Sequence, residues 1–296
     1  MMKKVIFIIL TLISFATPSF AEINVVATLP WIGSLAKEIG KDSVNVKVLV
    51  KPGQDPHFVE AKPSMTVAAR NADIIMYNGL DLEAGYLPLI ITSSRNHRIQ
   101  PGQKGNFDSS RYVNAIEKLE SADRSMGDVH PFGNPHYHFS PENILHVTEG
   151  IAEALSRIDQ DNAKFYNANL TEFRDRFKEK QREWNGKALK LKGKKFIAYH
   201  KLFEYLAKDF GFGIIGYVEP KPGIPPSAAY IKKLIELIKQ ERPDAILTTS
   251  SYGLKESELL AKNTGLRVVI LPQDVGATDT AKDWFSFIDQ TLLLLD

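Results

Sequence analysis

Cysteine is missing from all 296 residues. No disulfide can staple the chain, so its stability has to come from core burial and from whatever it binds. The same absence removes the residue through which a lipid is attached at a mature N-terminus, and the expected mature protein is freely soluble. Excess charge of either sign is also lacking. Lys and Arg number 37 against 35 Asp and Glu, a formal net charge of +2, with both signs interspersed. That balance offers no basic face to nucleic acid or to an anionic membrane. There is no internal repeat, no low-complexity tract, and no HExxH or other hydrolase pattern.

The chain opens with "MMKKVIFIILTLISFATPSFA". Two lysines precede an apolar run too short for an ordinary spanning helix, and Ser19 and Ala21 are the small residues before a cut. This predicts a signal peptide over residues 1–21, a mature chain from Glu22, and a periplasmic location.

Beyond it, strand-like and helix-like stretches alternate. "INVVATLP", "VNVKVLV" and "DIIMYNG" read as strands, "WIGSLAKEIG", "PSMTVAARNA" and "LDLEAGYLPLIITSS" as helices. Residues 101–141 are rich in Gly, Asn, Ser and Pro and read mainly as loop. From "NAKFYNANL" some thirty residues run without proline, with Phe165, Leu170, Phe173, Phe177 and Trp184 at near-helical spacing. A second alternation follows, from "KFIAY" and a helix over 200–210 to "RVVIL" and a last helix. The expected fold class is α/β in two lobes, each a parallel sheet flanked by helices, joined by one long rigid helix. The expected boundaries are 22–158, 159–191 and 192–296.

Three residues able to bind metal fall where predicted strands end: His57 in "PGQDPHFVE", His200 in "FIAYHKLF" and Asp274 in "VILPQDVGA". Open parallel sheets bind ligands outside the carboxyl ends of their strands. His136, in the proline-framed "GNPHYHFSP", lies before a helix and closes the set. Three imidazoles and a carboxylate suit zinc or another divalent first-row metal, and are too rich in nitrogen for calcium or magnesium. Taken singly, each histidine also fits a helix cap or a half-buried surface group, and Asp274 fits an acceptor of backbone hydrogen bonds in a turn. His97 reads as solvated and His146 as lying on a helix face. His130 and His138, which flank His136, read as accessory ligands or as members of an exposed loop.

"KPGQDPHFVEAKPS" followed by a helix, a strand and "NGLDLE", then "NPHYHFSPEN", "YHKLFEYLAKDFG" and "GLRVVILPQDVG" together resemble the metal-specific solute-binding proteins of zinc and manganese ABC importers, the cluster A-I receptors. Ala61 and Lys62 depart from the usual Pro-x-Pro, and His138 stands where an aromatic is usual. The resemblance spans the mature chain in order. It implies that His57 and His136 from the first lobe and His200 and Asp274 from the second hold a metal in the interlobe cleft. Histidine at the third position points to Zn2+, with Mn2+ as the alternative cargo. The long His-rich loop of many zinc receptors is absent. The implied partner is an ABC importer's membrane permease, with a periplasmic metallochaperone as a further candidate; the chain is expected to act as a monomer and not as an enzyme. The competing readings are a manganese or iron receptor of the same family, a secreted zinc hydrolase with Glu60 as base, and a receptor for haem, cobalamin or a siderophore.

Overall fold

The computed structural model describes residues 22–119 and 130–296; the signal peptide predicted over 1–21 lies outside them. The first half is built from β1 (Ile23–Ala27), α1 (Pro30–Gly40), β2 (Val44–Val48), α2 (Pro63–Arg70), β3 (Ile74–Tyr77), α3 (Leu87–Ser94), β4 (Asn106–Asp108) and α4 (Pro141–Ile158). A single helix, α5 (Ala163–Leu191), follows. The second half comprises β5 (Lys195–Ala198), α6 (Glu204–Phe210), β6 (Gly213–Tyr217), α7 (Ala228–Glu241), β7 (Ala245–Thr249), α8 (Leu254–Thr264), β8 (Val268–Leu271) and α9 (Trp284–Leu295).

The strands form two four-stranded sheets, ordered β2-β1-β3-β4 and β6-β5-β7-β8, and every pairing is parallel. Apolar β-branched runs such as "IIMY" and "AILTT" favour this arrangement, because parallel strands are covered by helices on both faces. Each sheet reverses its strand order once, between β1 and β3 and between β5 and β7. Such reversals leave a crevice at the carboxyl ends of the strands.

Helix α5 has 29 residues, about 43 Å of rod. Tyr166, Leu170, Phe173, Phe177 and Trp184 are buried along it. Phe165, expected on that stripe, is 40% exposed: it lies in the first turn, and the neighbouring Tyr166 takes the buried position. The buried stripe packs against α4 and α1 on one side and α6 and α9 on the other. One apolar cluster therefore runs from Trp31 and Ile144 through Trp184 to Trp284 and Phe287, across both halves. Arg176 adds polar ties, reaching Glu38 at 3.7 Å and Asp283 at 3.1 Å. A separate small cluster of Ile197, Val218, Leu234, Ile238, Ile246 and Leu260 fills the space under α7 and α8.

Two helices are shorter than their sequence pattern predicts. In "LDLEAGYLPLIITSS" the helix begins only at Leu87. Gly79, Leu80 and Asp81 are held in succession at φ 80°, 53° and 64°, a left-handed run that no α-helix continues. The helix expected from His200 begins at Glu204, after a turn in which Leu202 N–H bonds the His200 carbonyl at 2.8 Å.

Candidate metal centre

His57, His136 and His200 meet at the carboxyl ends of the two sheets. One ligand nitrogen from each lies within 4.8 Å of the other two. The ring centroids form a near-equilateral triangle with sides of 5.4, 5.7 and 5.5 Å. Two of these histidines belong to the first half of the chain and one to the second.

Local sequence explains how each ring is presented. Pro56 opens a short 3-10 turn over Pro56–Phe58, and the Asp55 carboxylate caps it by accepting His57 N–H at 2.9 Å. The same oxygen faces His57 Nδ1 at 2.8 Å and accepts the Tyr252 hydroxyl at 2.7 Å. Burial pushes the Asp55 carboxyl up, but the His57 and Tyr252 hydrogen bonds and the His57 charge together bring it below its ordinary value. His200, two residues past β5, sets Nδ1 2.6 Å from Glu219 Oε2 and stacks flat on Tyr252 at 5.3 Å. An acceptor on Nδ1 fixes the tautomer and leaves Nε2 as the lone-pair donor, the usual outer arrangement of a metal-bound histidine.

His136 is held by its backbone. Its N–H bonds Asn134 Oδ1 at 2.9 Å, and Ser140 caps α4 just beyond it. The "NGLDLE" turn anchors this loop. Glu83 accepts Asn78 N–H at 2.7 Å and Gly79 N–H at 3.0 Å, and Asn78 Nδ2 donates to the Pro135 carbonyl at 3.1 Å. The Tyr137 hydroxyl returns to the Asn78 carbonyl. Two separate sequence elements thus interlock through buried hydrogen bonds. Burial, then the neighbouring His57 and His200, hold the His136 ring well below its ordinary pKa, so it is neutral and able to ligate.

The other candidates lie differently. Asp274 is buried, 8% exposed, but is not in the group of mutually close ligand atoms. Its Oδ1 accepts Val275 N–H at 2.6 Å, and burial holds its carboxyl well above the ordinary range. His138 is not in an exposed loop: it is 6% exposed, stacked on Trp31, with Nε2 3.0 Å from the Gln273 carbonyl. The "NPHYHF" segment turns through a 3-10 helix, so His136 faces the cleft and His138 faces the core. His130, expected in the same exposed loop, is part-buried with Nε2 3.0 Å from His57 Nε2. His97 is exposed, as read, and His146 sits half-exposed on α4. Sequence reasoning passed over Asp55, Glu219 and Tyr252, although Glu219 and Tyr252 each follow a strand end by two or three residues, as His200 does.

A model of the family described as "zinc-uptake complex component A periplasmic", ZnuA, matches residues 25–295. The chain belongs to the ZnuA family. This is a family of ABC-importer receptors that bind and hand over a metal and carry out no reaction on it. Such receptors act with a membrane permease and an ATPase, on the extracytoplasmic side. Among relatives, the manganese ABC transporter substrate-binding lipoprotein PsaA of Streptococcus pneumoniae is 26% identical over 258 residues, 85% of this chain and 80% of that one. The iron receptor MtsA of Streptococcus pyogenes is 26% identical over 249 residues, 83% and 78% of the two chains. The zinc-binding lipoprotein AdcA of Streptococcus pneumoniae is 22% identical, over 84% of this chain and 50% of that longer protein. A crystal structure of ZnuA superposes with a TM-score of 0.77 at 26% identity, covering 92% of this chain and 97% of the other. The periplasmic metal-binding protein of Candidatus Liberibacter asiaticus shares the fold, with a TM-score of 0.72 at 23% identity over 92% and 97%. No helix among the described residues is long and apolar enough to cross a membrane.

Proposed function

We propose that this ZnuA-family protein captures Zn2+ outside the cytoplasm and delivers it to the permease of an ABC importer, with His57, His136 and His200 as its ligands. The observation that carries the proposal is the convergence of three imidazole donors from both halves of the chain. Two of them have a carboxylate on the far nitrogen. Four protein donors complete a closed zinc site, and the resemblance gives the fourth place to Asp274. Imidazole prefers zinc to the harder manganese ion. Members named for zinc, manganese and iron occur among the relatives, so Mn2+ or Fe2+ is the second reading. A competition titration at neutral pH decides: we expect one tightly bound zinc per chain, and equal or tighter manganese binding overturns the zinc assignment.

The lobes in this reading are residues 22–158 and 192–296, with 159–191 as the connecting helix and 1–21 as a cleaved leader. The receptor works as an unanchored monomer; the absence of cysteine supports the missing anchor, although several relatives are named lipoproteins. A periplasmic metallochaperone is a candidate donor of the ion. Intact mass and sedimentation of protein from the periplasmic fraction test these points; a lipid adduct or a dimer would contradict them.

A further inference from the structure

His130 stands outside the ligand set carried over from the family, yet its Nε2 lies 3.0 Å from the Nε2 of His57. The far nitrogens fix where the ring hydrogens are. His57 Nδ1 faces the Asp55 carboxylate at 2.8 Å, and the nearby Tyr252 hydroxyl spends its own proton on that same oxygen. His130 Nδ1 faces the carbonyl oxygen of Leu80 at 3.1 Å. A carboxylate and a carbonyl can only accept, so in each neutral ring Nδ1 carries the hydrogen and Nε2 presents a bare lone pair. Two lone pairs therefore point at each other across 3.0 Å. Only a shared cation, a proton or a metal ion, makes that approach favourable.

The distance suits a metal. Tetrahedral zinc with bonds of 2.0–2.1 Å keeps neighbouring nitrogens about 3.3 Å apart. His130, His136 and His200 line one cavity of about 90 Å³; among the described residues only His57, His136 and His200 bring ligand atoms within 4.8 Å of one another, so His130 would reach the ion from the His57 side. The backbone invests in this placement. Leu80, whose carbonyl steers the His130 ring, sits at φ 53°, a left-handed conformation that crowds a β-carbon. The Glu83 carboxylate fastens that turn through the Asn78 and Gly79 amides. Such strain gathers where a group has to be aimed.

We propose that His130 is a fourth imidazole ligand of the metal, occupying the place that the family resemblance gives to Asp274. The assignment rests on the three-histidine reading of the site and adds one donor to it. The bound ion then has four nitrogens, from His57, His130, His136 and His200, and the Asp274 carboxylate keeps its hydrogen bond to the Val275 amide.

The lack of cysteine elsewhere in the chain allows a direct test. In His130→Cys the only thiol stands at position 130, and ligation of Co2+ by it gives a near-ultraviolet thiolate-to-cobalt charge-transfer band. The full chain, stripped of metal, is titrated with Co2+ and then with Zn2+ in competition with a chelator. We expect the band in His130→Cys, a loss of zinc affinity of at least tenfold in His130→Gln, and a visible Co2+ spectrum unchanged in Asp274→Asn. Absence of the charge-transfer band in protein with wild-type circular dichroism overturns the proposal, as does wild-type affinity in His130→Gln. His136→Ala separates the two levels of inference. Its loss of binding alongside an unaffected His130→Gln leaves the three-histidine site standing and removes only His130, whereas wild-type binding in both variants removes the site itself.

Discussion

The two walls of the cleft hold their histidines by different means. On the first-lobe wall, His136 is aimed by its main chain: Asn134, the Asn78–Pro135 hydrogen bond and the Ser140 cap fix the loop, and the ring is buried to 3% exposure. On the second-lobe wall, His200 is aimed by side chains, with Glu219 on Nδ1 and Tyr252 flat against the ring. His57 combines both, since Asp55 bonds its amide and its ring together. A ring fixed by backbone is insensitive to any one neighbouring side chain. A ring fixed by a carboxylate is not, so the second wall offers a way to weaken metal binding without deleting a ligand.

The largest effects should come from the proposed ligands on either wall. His57→Ala, His136→Ala and His200→Ala should each lower zinc affinity by at least tenfold, about 1.4 kcal/mol, in a chelator competition. Zinc should raise the melting temperature of the wild type, because it binds the folded state, and this rise should shrink in all three variants. Next in size is the asymmetry itself. Glu219→Gln removes the charge behind His200 and should cost roughly tenfold in affinity, the lower end for outer partners of metal ligands. Asn134→Ala, on the main-chain wall, should cost only a few-fold. Equal losses in the two variants, measured by the same competition, would erase the contrast.

A smaller effect concerns one buried carboxyl on each wall. Burial pushes both Glu83 and Glu204 up from 4.5 to about 7. Their folded-state pKa exceeds the unfolded one, so the stability they contribute is fully present below pH 4.5 and is lost as pH rises through about 7. The slope is on the order of 1 kcal/mol per pH unit for each group within that window. Glu204 bonds mainly the Tyr217 hydroxyl, at 2.8 Å, so Glu204→Gln should flatten the pH dependence of stability in metal-free protein while keeping an acceptor for that hydroxyl. Denaturation midpoints at pH 5, 6, 7 and 8 measure it; parallel curves for wild type and variant would contradict the assignment. The smallest effect is reserved for His138. His138→Gln should alter zinc affinity by a few-fold at most, because that ring faces Trp31 and the Gln273 carbonyl. Loss of zinc in this variant with retention in His136→Ala would reverse the reading of the "NPHYHF" loop.

The same contrast explains what the sequence made legible. Parallel strands, their buried β-branched runs and the long helix were visible because periodicity and composition are local properties. His57, His136 and His200 were visible because they fall beside prolines and strand ends, where few histidines fall by accident. Residues that act through distant partners were not. Glu219 matters because β6 pairs with β5 and brings it to His200, and Tyr252 matters because it reaches across to Asp55 from the end of β7. For His130 and His138 the sequence leaves accessory ligand and exposed loop both open, since nothing local distinguishes a polar loop that folds inward. The false start of α3 has a local origin that periodicity does not register: the carboxylate that locks Gly79, Leu80 and Asp81 out of helix belongs to Glu83, and its bonds to the Asn78 and Gly79 amides compete with the helical ladder.

Helix α5 makes the protein a lever. Its stripe of aromatic side chains belongs to one core shared by both lobes, so neither lobe can swing away on a slack joint without prising that core apart. What the rod does permit is tilt, and length amplifies tilt. A rotation of about 5° around the middle of a 29-residue helix moves each end by about 2 Å. That displacement equals the length of a zinc–nitrogen bond. A push of a few degrees from a docked permease would thus be on the scale needed to part His200 from His57 and His136.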